Sequence, residues 1–111
     1  MKRKKSVHYS IYVVLLEDCI RRFRKVQDEN PRRDSEKPCV YVGMTGINPV
    51  KRFENHKAGY KASGYVKKYG IRLMPELYED LNPLLYDEAV IAEQGLARRL
   101  RAEGYTVVGG H

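Results

Sequence analysis

The sequence predicts an α+β domain, a small, mainly antiparallel three-stranded sheet flanked by helices. Short runs of β-branched and aromatic residues alternate along the chain with stretches of helical hydrophobic spacing. Two Asn-Pro pairs, Asn48-Pro49 and Asn82-Pro83, stand where helices should begin, with Asn as cap and Pro at the first helical position. The 111 residues suit one ordinary core, and 42% of them are hydrophobic. A single domain over 1–111 is therefore expected, with an extra helix and loop inserted at about 17–38.

Taken in order, the first strand is expected over Val7–Leu16, where Val7, Tyr9, Ile11, Tyr12, Val13 and Val14 carry β-propensity. Glu17–Gln27 has Cys19, Ile20, Phe23 and Val26 at helical spacing. Asp28–Pro38, with two prolines and many charges, reads as a solvated loop. A second strand, Cys39–Gly43, leads through the turn Met44-Thr45-Gly46 to a helix from Asn48-Pro49 that stops at Gly59. A short helix follows near Ser63–Tyr69. Ile71–Tyr78 reads as a third strand, confined to an edge or a bulge by Pro75. The longest helix should run from about Leu84 to Glu103. It buries Leu85, Ala89, Ala92, Leu96 and Leu100 and stops at Gly104. Gly95 inside it costs about 1 kcal/mol against Ala, which suggests a close approach there. A final short strand, Tyr105–Val108, leads into Gly109-Gly110-His111.

Twenty-one Lys and Arg against 14 Asp and Glu give a net charge of +7, which suits a polyanionic partner. The N-terminal run Met1–Lys5 is basic. The apolar stretch Ile11–Leu16 is too short for a signal sequence, and no apolar run could span a bilayer. A cytoplasmic protein with no membrane association is expected. Cys19 and Cys39 form no C-x-x-C pair, and His8, His56 and His111 are scattered, so neither a zinc site nor a disulfide framework is indicated.

Three features could carry chemistry. The strand tyrosines Tyr12 and Tyr41 are, taken singly, ordinary packing residues with a satisfied hydroxyl. Arg52 and His56, four apart, share one helical face. One offers a permanent charge for phosphate oxygens, and the other titrates near neutrality. Such a pair is more commonly an idle polar surface. Glu93 borders the buried stripe of the last helix, where a carboxylate needs an ion-pair partner or a cation.

Together, Tyr12, Tyr41, Gly43, Arg52, His56 and Glu93 match in order the signature of the GIY-YIG nucleases, and the chain resembles that family from about Tyr9 to Gly110. Tyr41-Val42-Gly43-Met44-Thr45 followed by Lys51-Arg52 and His56 is the specific part. Glu88-Ala89, Glu93, Leu96 and Gly109-Gly110 strengthen it. The resemblance implies a divalent-metal-dependent endonuclease acting on DNA, with RNA also possible as substrate. Glu93 would hold one Mg2+ (or Mn2+), Arg52 would neutralise the non-bridging oxygens, and Gly43 would be a structural part of the motif. Tyr12, Tyr41 and His56 are the candidates for the base, a tyrosine being favoured with His56 assisting. The chain departs from the family in three places. Ser10-Ile11-Tyr12 has Ser for Gly, and the Tyr12-to-Tyr41 gap is long. No Asn occurs near the last strand, which leaves that role unfilled or passed to Thr106 or His111.

Lys51, Lys57, Lys61, Lys67, Lys68 and Arg72 lie on and after the Arg52 helix, interleaved with Tyr60, Tyr65 and Tyr69. They could form a phosphate track with occasional stacking, or merely a solvated surface. The alternative to an enzyme is a catalytically weak or inactive nucleic-acid-binding module of the same fold. A third reading is a protein-interaction domain docking through Glu17–Gln27. A targeting protein partner fits a chain without further binding modules.

Overall fold

The computed structural model describes residues 7–111; the basic run Met1–Lys5 lies outside the described residues. The architecture is α+β. Among the described residues the strands are β1 (Ser10–Leu16), β2 (Cys39–Thr45), β3 (Gly70–Leu73) and β4 (Thr106–Gly109). The helices are α1 (Arg24–Glu29), α2 (Pro49–Ala58), α3 (Gly64–Tyr69) and α4 (Tyr86–Ala102). Single 3-10 turns cover Asp18–Arg22, Pro75–Leu77 and Glu79–Leu81.

The strands form one sheet in the order β3-β1-β2-β4, antiparallel except for the parallel pair β2 and β4. This corrects the expected three-stranded antiparallel sheet to a four-stranded mixed one. The physical reason lies in α4, which returns the chain to the other end of the sheet, so the final segment enters alongside β2 in the same direction. Ile11 to Val14 are buried without interruption, so both faces of the central strand β1 are covered. Helices α2 and α3 pack against β1, and α4 packs against β2 and β4.

Several elements differ from the sequence reading. Strand β1 begins at Ser10 rather than Val7, because Tyr9 pairs instead with Leu84 through two backbone hydrogen bonds of 3.0 and 2.8 Å. The expected helix 17–27 is broken at Phe23, whose φ of -76° and ψ of 125° are extended. Ile20 and Val26 are both buried, yet in one continuous helix they would project about 120° apart. The break lets both enter the core. The third strand stops at Leu73, since Pro75 has no N–H for a ladder and opens a 3-10 turn. It does occupy the sheet edge.

The helix around Arg52 follows the sequence signals. Asn48 accepts the Val50 N–H at 2.8 Å, Pro49 fills the first position, and Gly59 ends it at φ 88°. Asn82-Pro83 acts differently. It does not cap α4, whose preceding residue Leu85 instead donates its N–H to the Glu88 carboxylate at 2.9 Å. The Asn82 amide bonds both the N–H and the carbonyl of Ile11, each at 2.7 Å. At the opposite edge Asn30 does the same for Val107, at 2.8 and 2.9 Å. Two side-chain amides thus continue the sheet for one residue, Asn82 beside β1 past the end of β3 and Asn30 along the edge strand β4, which answers backbone groups that no strand pairs.

Gly95 also departs from expectation, because a Cβ built there meets nothing within 4 Å. No neighbour among the described residues requires a glycine. Gly95→Ala is expected to raise stability by about 1 kcal/mol through helix propensity alone, read as a higher denaturation midpoint at unchanged slope.

Candidate active site

The register of β1 and β2 assembles the site. Tyr12 lies opposite Gly43, and Val14 lies opposite Tyr41, so both tyrosines point to the same side of the sheet as diagonal neighbours. Their ring centroids are 6.1 Å apart. Gly43 makes this possible. A Cβ there would stand 2.7 Å from the Cζ and Oη of Tyr12 and 2.9 Å from Cε1 of Tyr41. The far edge of Tyr41 rests on Gly109, where a Cβ would come within 2.9 Å of the ring and 2.5 Å of the Val42 carbonyl. Gly110 closes α4 onto the same corner, as a Cβ there would collide with Ala97 at 2.4 Å.

Helix α2 brings His56 over the tyrosines, and the histidine is fully buried. Its Nε2 is 2.8 Å from Tyr12 Oη, and its Nδ1 receives the backbone N–H of Ser63 at 2.9 Å. The ring lies 6.0 Å from that of Tyr12 and 5.8 Å from that of Tyr41. One turn earlier, the Arg52 guanidinium donates to the carbonyls of Tyr60 at 3.3 Å and Lys61 at 2.8 Å. It tethers the loop between α2 and α3 while its charge acts on the rings.

Burial pushes the Tyr12 phenol up, the neighbouring Tyr41 adds to this, and Arg52 opposes both. Tyr41 is also raised by burial. The Tyr12 hydroxyl pulls it down, Glu93 pushes it up and Arg52 pulls it down again. His56 is lowered to about 4 by burial and then by Arg52, so it is neutral at pH 7. Glu93, on the buried face of α4, is raised to about 7 by burial, with the Met44 backbone opposing. Among the described residues Glu93 has no ion-pair partner, and no three His, Cys, Asp or Glu side chains cluster.

Tyr12, Tyr41, Gly43, His56 and Arg52 therefore converge on one place, and Glu93 is close enough to act on Tyr41. The basic residues are less uniform. Lys57 is tied to the carbonyls of Lys67 and Gly70 at 3.1 and 2.9 Å. Lys51 faces Glu54 at 3.9 Å and Arg72 faces Glu76 at 3.8 Å, both exposed pairs. Lys61, Lys67 and Lys68 are exposed, with Lys61 and Lys68 over the rings of Tyr60 and Tyr69. Thr106 is engaged by Arg21 at 3.1 Å and pairs with Cys39, at the end of β2 remote from Gly43. Sequence reasoning missed Ser63, whose contribution is a backbone N–H and leaves no side-chain signature.

Comparison of the chain with family models, with curated proteins and with solved structures finds no match.

Proposed function

We propose that the protein is a divalent-metal-dependent endonuclease of the GIY-YIG type, hydrolysing phosphodiester bonds in DNA. The observation that carries this reading is the stack of Tyr12, Tyr41 and His56 closed over Gly43 beneath the Arg52 charge. Hydrolysis needs a base for water and a preorganised field for charge developing on phosphate oxygens. The tyrosine pair offers the base, and Arg52 offers the field.

One Mg2+ (or Mn2+) fits Glu93. The carboxylate is a hard oxygen donor, 9% exposed, held up to about 7 by burial and without a cation partner among the described residues. Magnesium keeps several waters and takes further oxygens from a substrate phosphate, so one protein carboxylate suffices. When bound, the ion would supply Lewis-acid stabilisation of the phosphate. Lys61, Lys67 and Lys68 supply cations for the flanking backbone. A cytoplasmic setting suits the free thiols Cys19 and Cys39, and a protein partner would supply target choice.

The second reading, binding without turnover, draws on Ser10 in the first motif and on Thr106, which Arg21 already occupies. The test is incubation of the full chain with supercoiled, linear and branched DNA, and with RNA, with and without magnesium. Metal-dependent strand breaks in DNA are expected. Retention of nucleic acid without any cleavage would favour the binding module, and binding that ignores salt would remove the nucleic-acid role altogether.

A further inference from the structure

The hydrogen bonds around His56 have a direction. A backbone N–H can only donate, so Nδ1, which receives that of Ser63 at 2.9 Å, carries no proton. A neutral imidazole has one N–H, which must then lie on Nε2, the atom 2.8 Å from Tyr12 Oη. His56 donates and Tyr12 accepts. The Tyr12 O–H must therefore point away from the imidazole, and Tyr41, packed against the same glycine, lies beside it.

The loop that presents Ser63 is held in place. Gly59 at φ 88° and Lys61 at φ 47° reverse the chain, and Arg52 grips the carbonyls of Tyr60 and Lys61. Lys57 fastens α3 beneath it through Lys67 and Gly70. The orientation of the Ser63 N–H is thus built into α2.

Resting on the nuclease reading above, we propose that Ser63 is a positioning residue whose N–H fixes His56 as donor to Tyr12, leaving Tyr41 to take the proton from water. In that step Tyr41 first gives its own proton to solvent, a loss that the Arg52 charge favours against burial, and its phenolate oxygen then gains the proton of water. The resulting hydroxide oxygen bonds to phosphorus, the bond from phosphorus to the leaving sugar oxygen breaks, and that oxygen is protonated by solvent. Tyr41 then returns its proton to solvent. His56 holds Tyr12 in place and takes no proton in the reaction.

The test reads the imidazole directly, by 15N NMR of the full chain without substrate at pH 7. His56 is expected as the Nε2–H tautomer, and Ser63→Ala, which keeps the N–H, should preserve it. Ser63→Pro removes only the donor at a φ of -70° that proline adopts, and should release the proton from Nε2. In cleavage assays His56→Gln, which can accept at one atom and donate at the other, should stay within about 10-fold of the parent. His56→Ala should fall by about 100-fold or more. An Nδ1–H tautomer in the parent overturns the proposal, and so does a folded His56→Gln as inactive as His56→Ala. A parent that cleaves nothing sinks the nuclease reading, while the spectrum still decides which nitrogen donates.

Discussion

Glu93→Gln is expected to be more stable than the parent at pH 8 in the absence of metal, by up to about 3 kcal/mol. The sign follows from linkage. Glu93 sits at about 7 in the folded chain against 4.5 as its ordinary value, so between those limits the folded state binds more protons than the unfolded. Stability from this group therefore falls as pH rises from 4.5 to 7 and stays low above it. Glutamine carries no charge to desolvate, so its advantage should be full at pH 8 and vanish below pH 4.5. His56 works in the opposite sense. Its lowered value, about 4 against 6.5, makes the parent lose stability as pH falls through that range, and both proteins share this loss. Magnesium should raise the melting temperature of the parent at pH 8 by pairing with the Glu93 carboxylate, and should leave Glu93→Gln unmoved. Thermal melts at pH 4.5 and 8, with and without magnesium, measure all of this. Equal melting temperatures for the two proteins at pH 8 would contradict a carboxylate buried without a cation partner among the described residues.

Gly43→Ala should cost at least about 100-fold in cleavage, with an overpacking loss of about 1–3 kcal/mol. The added Cβ would stand 2.7 Å from Tyr12 and 2.9 Å from Tyr41, inside any real contact distance. Neither ring can yield easily, because Tyr12 is buried and bonded to His56, and the far edge of Tyr41 rests on Gly109. The phenols must separate even if the sheet stays paired. A circular dichroism spectrum like the parent's with loss of cleavage is the expected outcome. A variant as active as the parent would show that the closed tyrosine stack does not carry the chemistry.

What could be read from the sequence was what is encoded locally. Asn48, Pro49 and Gly59 mark α2 because capping is a matter of adjacent residues, and Arg52 and His56 share a face because helix geometry fixes their spacing. Tyr41-Val42-Gly43 was legible as a motif, and the structure adds the reason for its glycine. Long-range choices were not legible. Asn82 reads as a helix cap until β1 offers it the two backbone groups of Ile11, 71 residues away. Asn30 looks like loop polarity until Val107 arrives 77 residues later. The break at Phe23 depends on which core positions Ile20 and Val26 must reach, and the direction of β4 depends on how α4 crosses the sheet. Ser63 was invisible because every residue except proline carries a backbone N–H.

We propose that this site breaks phosphodiester bonds with a cation at Glu93. The most direct measurement is the initial rate of supercoiled-plasmid nicking by the full chain across a magnesium titration, with Glu93→Gln in parallel. The parent is expected to show saturable, metal-dependent nicking that chelator abolishes, and the folded variant none above background. Nicking by Glu93→Gln at the parent's rate, or a parent inert at every magnesium concentration, would contradict it.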